Sequence, residues 1–158
     1  MNEMYRGPFE LDPGLSFQSP LLVDMLRYWR EKCGGRRMAS RADIDPVDPA
    51  LRPHLGFVVL TDVETTRFRF RLIGSALTAI VGRDATGQYL DEIYSAADYE
   101  YMIAAYRWVV AQRKPLRITG NLHRADHSWI DMESIDLPLS SDGRTIDMIM
   151  TRSVLKGV

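Results

Sequence analysis

The chain has 158 residues, of which 46% are hydrophobic and 26% charged. That is the make-up of one ordinary globular domain, long enough to bury about 70% of the surface its unfolded form exposes, and it excludes disorder. Lys and Arg number 20 against 21 Asp and Glu, a net charge of −1 that gives no support to a nucleic-acid or membrane partner, and the single cysteine, Cys33, excludes an internal disulfide and a multi-thiolate zinc site.

The N-terminus, MNEMYRGPFELDPGL, lacks the basic start and apolar run of a signal peptide. The longest unbroken apolar stretch, Tyr101 to Tyr106, falls far short of the about 20 residues of a membrane span. A cytoplasmic location is expected. Residues 1–20 carry Gly7, Pro8, Pro13, Gly14 and Pro20 and read as a loose or docked arm. Leu21, Leu22, Met25, Leu26 and Trp29 then recur on one face of a helix that Gly34 and Gly35 end. A connector to residue 55 completes this second segment. A core spans 56–155.

In that core the period changes to two. GFVVLTDV (56–63) and RFRFRLIG (67–74) read as strands, with Phe68, Phe70 and Leu72 on one face and Arg67, Arg69 and Arg71 on the other. SALTAIV (75–81) is a short helix closed by Gly82. Ser95 and Asp98 form a capping-box signature for the longest helix, 96–113, with Tyr99, Met102, Ile103, Tyr106, Val109 and Val110 on one stripe. Pro115 blocks its continuation. Three strands follow, at 116–124, 128–137 and 145–154, the last two joined by an Asp142-Gly143 turn. The predicted fold is α+β: a five-stranded antiparallel sheet covered by helices on one face, with an N-terminal amphipathic helix free for the other face or for a partner.

This order resembles a PAS domain, and three stretches resemble the bacterial PAS_5 branch of that family. They are Tyr28-Trp29-Arg30 with Gly34-Gly35-Arg36 and Arg41 to Pro46, then Phe68 to Gly74, then Gly82-Arg83-Asp84-Ala85-Thr86-Gly87-Gln88-Tyr89-Leu90. Leu137-Pro138-Leu139 also fits. Ser40, Ala85 and Gly56 depart from the pattern, Ala85 standing where a larger aliphatic is usual. The resemblance implies a stand-alone sensory or interaction module in signal transduction, not an enzyme, with no output domain after Val158. It would act by protein contacts, with a homodimer and an unidentified signalling protein as the expected partners, and with a small metabolite as a ligand.

The expected ligand pocket, between sheet and helices, comprises Phe70, Leu72, Leu77, Ile80, Val81, Tyr89, Met102, Tyr106, Val109, Met132, Met148 and Met150. The same residues also read as plain core packing. Adaptable Met side chains suit a pocket that reshapes around a ligand. Which cofactor it holds is unknown. The longest helix has no His to ligate haem, and Cys33 lies away from the pocket, so haem and a covalent flavin adduct are disfavoured. Leu22, Met25, Leu26 and Trp29 are the expected dimer or partner interface, because no cover for them is assigned within the core.

Other groups have simpler readings. His123 and His127 flank Asp126 but are too few for a metal site, and no metal is expected. Asp43, Asp45 and Asp48 suit turn capping beside prolines. The run Arg27, Arg30, Lys32, Arg36, Arg37 and Arg41 is either a phosphate-binding patch or a solvated face paired with those acids. Two rival functions remain: a small isomerase-like enzyme, which needs a buried Asp or Tyr of shifted pKa facing a cavity, with Asp131 as the candidate, and a nucleic-acid-binding regulator using residues 27–41.

Overall fold

The computed structural model describes residues 7–158, so the first six residues of the expected arm lie outside the described range. In chain order the elements are β1 (Glu10–Asp12), α1 (Pro20–Cys33), two 3-10 turns (Arg41–Asp43 and Arg52–Phe57), β2 (Val58–Val63), β3 (Phe68–Ile73), α2 (Ser75–Val81), α3 (Leu90–Ile93), α4 (Ala96–Gln112), β4 (Leu116–His123), β5 (Trp129–Leu139) and β6 (Met148–Leu155). Local chemistry sets the helix limits. Ser19 caps α1 by accepting from the Leu21 amide, Pro20 opens it, and Gly34 closes it at a φ of 57°. Ser95 caps α4, which ends at Arg113 two residues before Pro115.

The six strands form one antiparallel sheet in the order β1-β4-β5-β6-β2-β3. Five are the expected strands. The sixth, β1, comes from the arm and pairs with the edge of β4, Leu11 opposite Ile118. Gly120 makes room beside it. A Cβ there would lie 2.7 Å from the Phe9 ring, so the ring rests on bare backbone.

Helices cover both faces of the sheet, and of the two places open to the N-terminal helix it takes the other face. α4 packs against β4 and β5 on one side, and α1 packs against β5 and β6. The reason lies in β5, which is buried without interruption from Ile135 to Leu139. Alternation sends Ser134 and Asp136 to one face and Ile135 and Leu137 to the other, so each face needs a cover. Leu22, Met25, Leu26 and Trp29 supply the second one and are all buried within the chain. The indole of Trp29 donates to the Pro138 carbonyl at 2.9 Å. The Glu133 carboxylate accepts from the Gln18 and Ser19 amides, each at 2.9 Å, and so pins the start of α1 to β5. The expected dimer or partner interface on these four side chains is therefore corrected: they have a cover, and it is the sheet.

Each of these side chains contributes about 1.5–3 kcal/mol of burial. Trp29→Ala is expected to cost about 3–5 kcal/mol in urea denaturation, with the subunit number unchanged in sedimentation. Val23→Ala, on the exposed side of α1, should stay within about 0.5 kcal/mol. A change of subunit number in the Trp29 variant would contradict this assignment.

Candidate ligand cavity

The face of the sheet under α4 encloses a cavity of about 110 Å³. Its walls are mostly apolar. Phe70 and Ile73 come from β3, Leu77 and Val81 from α2, Met102 and Ala105 from α4, Ile118 and Leu122 from β4, and Met132 from β5, while Phe9 and Arg83 also line it. Ala85 lines it too, and its small side chain leaves space that a larger aliphatic would fill.

A polar track crosses this apolar face. Ser134 opposes Ser153 and Asp136 opposes Thr151 on neighbouring rungs of β5 and β6. The two serine hydroxyls are 2.8 Å apart, and the Thr151 hydroxyl donates to Asp136 Oδ1 at 2.5 Å. The Tyr106 hydroxyl lies 3.2 Å from Thr61 Oγ1. All six side chains are buried, Asp136 with only 1% exposure. Among the described residues, Asp136 Oδ2 has no hydrogen-bond partner.

Of the residues expected at the pocket, Phe70, Leu77, Val81, Met102, Tyr106 and Met132 line the cavity. Val109 is buried and Ile80 half-buried in the core, but neither lines it. The other four lie elsewhere, each for a physical reason. The β2–β3 register passes from Leu60 opposite Leu72 to Thr61 opposite Phe70, which leaves Arg71 as an extra residue. This bulge turns Leu72 outward, 41% exposed, and brings Ile73 to the cavity instead. Tyr89 sits at the sheet edge, its ring 3.6 Å from the Arg67 guanidinium and its hydroxyl donating to Glu64. Met150 pairs with Leu137 and Leu60, so it faces α1, and Met148 shares that face by alternation. Thr151 and Ser153 take the cavity side of β6. A choice by hydrophobicity alone selects the wrong face there. Alternation from Met132 does lead to Ser134 and Asp136, and that is the signal by which the buried acid could have been found.

The other candidates have structural partners. Asp131 points away from the cavity and accepts from Asn121 Nδ2 at 2.5 Å, and Glu133 binds Arg117 as well as the start of α1. Asp43 accepts from Ser40, Asp45 from the Val47 amide and Asp48 from the Ala50 amide. Arg27, Lys32 and Arg36 pair with Asp24, Asp48 and Asp43. Arg67 pairs with Asp91 and Glu92, and Arg69 and Arg71 with Asp62. His54 Nδ1 accepts from Arg152 Nε at 3.2 Å on the α1 side, and burial, then the Arg152 charge, lowers its pKa. The rings of His123 and His127 lie 5.5 Å apart at the β4–β5 turn. Among the described residues, no three metal-ligating side chains converge, and no helix is long and apolar enough to cross a membrane.

A family model described as PAS domain matches residues 17–151. The chain belongs to the PAS-domain family. No curated protein matches it. Among solved structures it is similar to the Rhodobacter sphaeroides LOV protein, with a TM-score of 0.52 and 14% identity over 63% of this chain and 58% of that one. An RNA-binding light-oxygen-voltage receptor gives 0.53 and 11% over 96% of this chain and 39% of the receptor. A light-oxygen-voltage domain studied with a flavin analogue gives 0.52 and 10% over 72% and 87%. The chain thus spans little more than half of the LOV protein and less than half of the receptor. At these identities the likeness shows the PAS fold.

Two groups that the fold family suggests can be tested on this PAS domain's own residues. Cys33 is buried on α1, across the sheet from the cavity, so no thiol reaches a flavin there. Among the described residues, no histidine lines the cavity. A covalent flavin adduct and a His-ligated haem do not fit. The volume is nearer that of an apolar cavity of about 150 Å³, which holds one benzene.

Burial raises the Asp136 carboxyl to about 7, against the opposing Thr151 hydrogen bond. Burial, and next the Asp136 charge, push the Tyr106 hydroxyl well above its ordinary range. Unfolded, the Asp136 carboxyl titrates near about 4. The folded state therefore holds its proton more tightly. That contribution to stability is fully present below about pH 4 and is lost as pH rises through about 7. Asp136→Asn is expected to stabilise the domain at pH 8 by on the order of 2–4 kcal/mol and by little at pH 4. Thermal denaturation at both pH values checks this, and an equal effect at the two would contradict it.

Proposed function

We propose that this PAS domain is a sensory module in signal transduction. It takes a small, largely apolar ligand into the cavity under α4 and passes the change on through protein contacts. PAS domains are sensory signalling modules, and the observation that carries the ligand reading is the cavity itself, held beside a buried acid in an otherwise packed core. A ligand there touches α2, α4 and the sheet at once, so its arrival biases how the helices sit on the strands. Contacts with a second copy or a signalling protein fall to surfaces other than the buried stripe of α1.

Native mass spectrometry of freshly purified protein reports subunit number and bound mass together. A mass above the bare chain is expected. Ala105→Leu, which fills the cavity from α4, should abolish that mass and raise stability by about 0.5–2 kcal/mol. Bare chain in the wild type, with destabilisation by the filling substitution, would count against a ligand cavity.

Asp136 also favours a second reading. A small isomerase-like enzyme needs an acid of raised pKa facing a cavity, and Asp136 has the place expected of Asp131. Proton transfer would appear as deuterium exchange into a small ketone that Asp136→Asn abolishes. Exchange no faster than in buffer would leave the sensory reading alone.

A further inference from the structure

From the hydrogen-bond inventory at the cavity, we infer that its ligand is a small aliphatic amine, held with its ammonium group on Asp136 Oδ2 and its carbon chain among the apolar walls. This rests on the ligand-cavity reading and specifies its chemistry. The Ser134 and Ser153 hydroxyls pair with each other, as do those of Thr61 and Tyr106, one donating and one accepting in each pair. Thr151 spends its proton on Asp136 Oδ1. Among the described residues Asp136 Oδ2 has no partner, and it sits on a side chain that is 1% exposed and lines the cavity.

An ionised carboxylate only accepts, so its complement is a donor. Burying such an oxygen without a partner is costly, and a ligand that supplies the partner recovers that cost on binding. A cation does so most strongly, because a charge-assisted hydrogen bond gains from low dielectric surroundings. Arg83, the one cationic side chain among the described residues that line the cavity, is exposed and leaves Oδ2 unpaired. Phe70, Leu77, Val81, Met102, Ile118 and Leu122 offer a ligand apolar contact, and Tyr94 also lines the cavity. A cavity of about 110 Å³ suits a body of a few carbons. An anion is rejected by the carboxylate, and a ligand with acceptors alone leaves Oδ2 as it was.

The test is an NMR titration of the full chain at pH 8 with n-butylamine, n-butanol, butanone and butyrate, probes of similar size. The methyl signals of Met102 and Met132 report the cavity. The expected order is amine, then alcohol, then ketone, with no binding of butyrate, and the amine should bind about 10-fold or more tighter than the ketone. Asp136→Asn should abolish that preference while the ketone still binds. Thr151→Val, which leaves the carboxylate in place, should keep it, and it serves as the second variant if Asp136→Asn does not fold. Equal binding of amine and ketone, or loss of the preference in the Thr151 variant, would overturn the amine assignment and leave the cavity reading standing. A ketone tighter than the amine would do so too, with Asp136 acting as a protonated donor. No methyl shift with any probe would overturn the cavity reading itself.

Discussion

The middle of the sheet is buried on both faces, and the rest of the fold follows from that. β5 and β6 run side by side, β5 buried from Ser134 to Leu139 and β6 buried except at Val154. One layer of helices cannot cover two faces. The chain meets this by sending α1 to the far side, fixed by Trp29 on the Pro138 carbonyl and by Glu133 on the amides before the helix. With that face filled by large side chains, the two faces divide the work. The α1 side is packed core. The α4 side keeps a cavity and a polar track.

Much of this is legible in the sequence. The change of period at residue 56, the Ser95 cap, Pro115 and the Asp142-Gly143 turn locate the core elements. β1 is not legible, because three residues of an arm rich in Gly and Pro carry no alternation of their own. They become a strand only because β4 offers an edge and Gly120 offers room for Phe9. The cover for α1 is hidden for a similar reason. Its stripe shows that it must be buried, but only the pairing of strands shows what lies opposite.

The cavity was half legible. Helix residues such as Met102 and Tyr106 come from one stripe, and the 3.6 period places them correctly. Strand residues depend on which of two faces is inside, and hydrophobicity misleads where the cavity side is the more polar one. Met148 and Met150 belong under α1, whereas Thr151 and Ser153 belong to the cavity. Leu72 fails for a different cause, since one extra residue at Arg71 reverses the strand beyond it. Asp136 is the largest omission. A carboxylate between Ile135 and Leu137 looks like a solvent-facing residue until both faces of β5 prove to be covered.

A division between a filled face and a receptive one is open to direct observation. Xenon enters apolar cavities and marks them in electron density. In a crystal of this PAS domain under xenon pressure, the account predicts density between α4 and the sheet, beside Met102, Met132 and Ile118. None is predicted between α1 and β5 or β6. Xenon beneath α1, or its absence from the α4 side, would contradict the account.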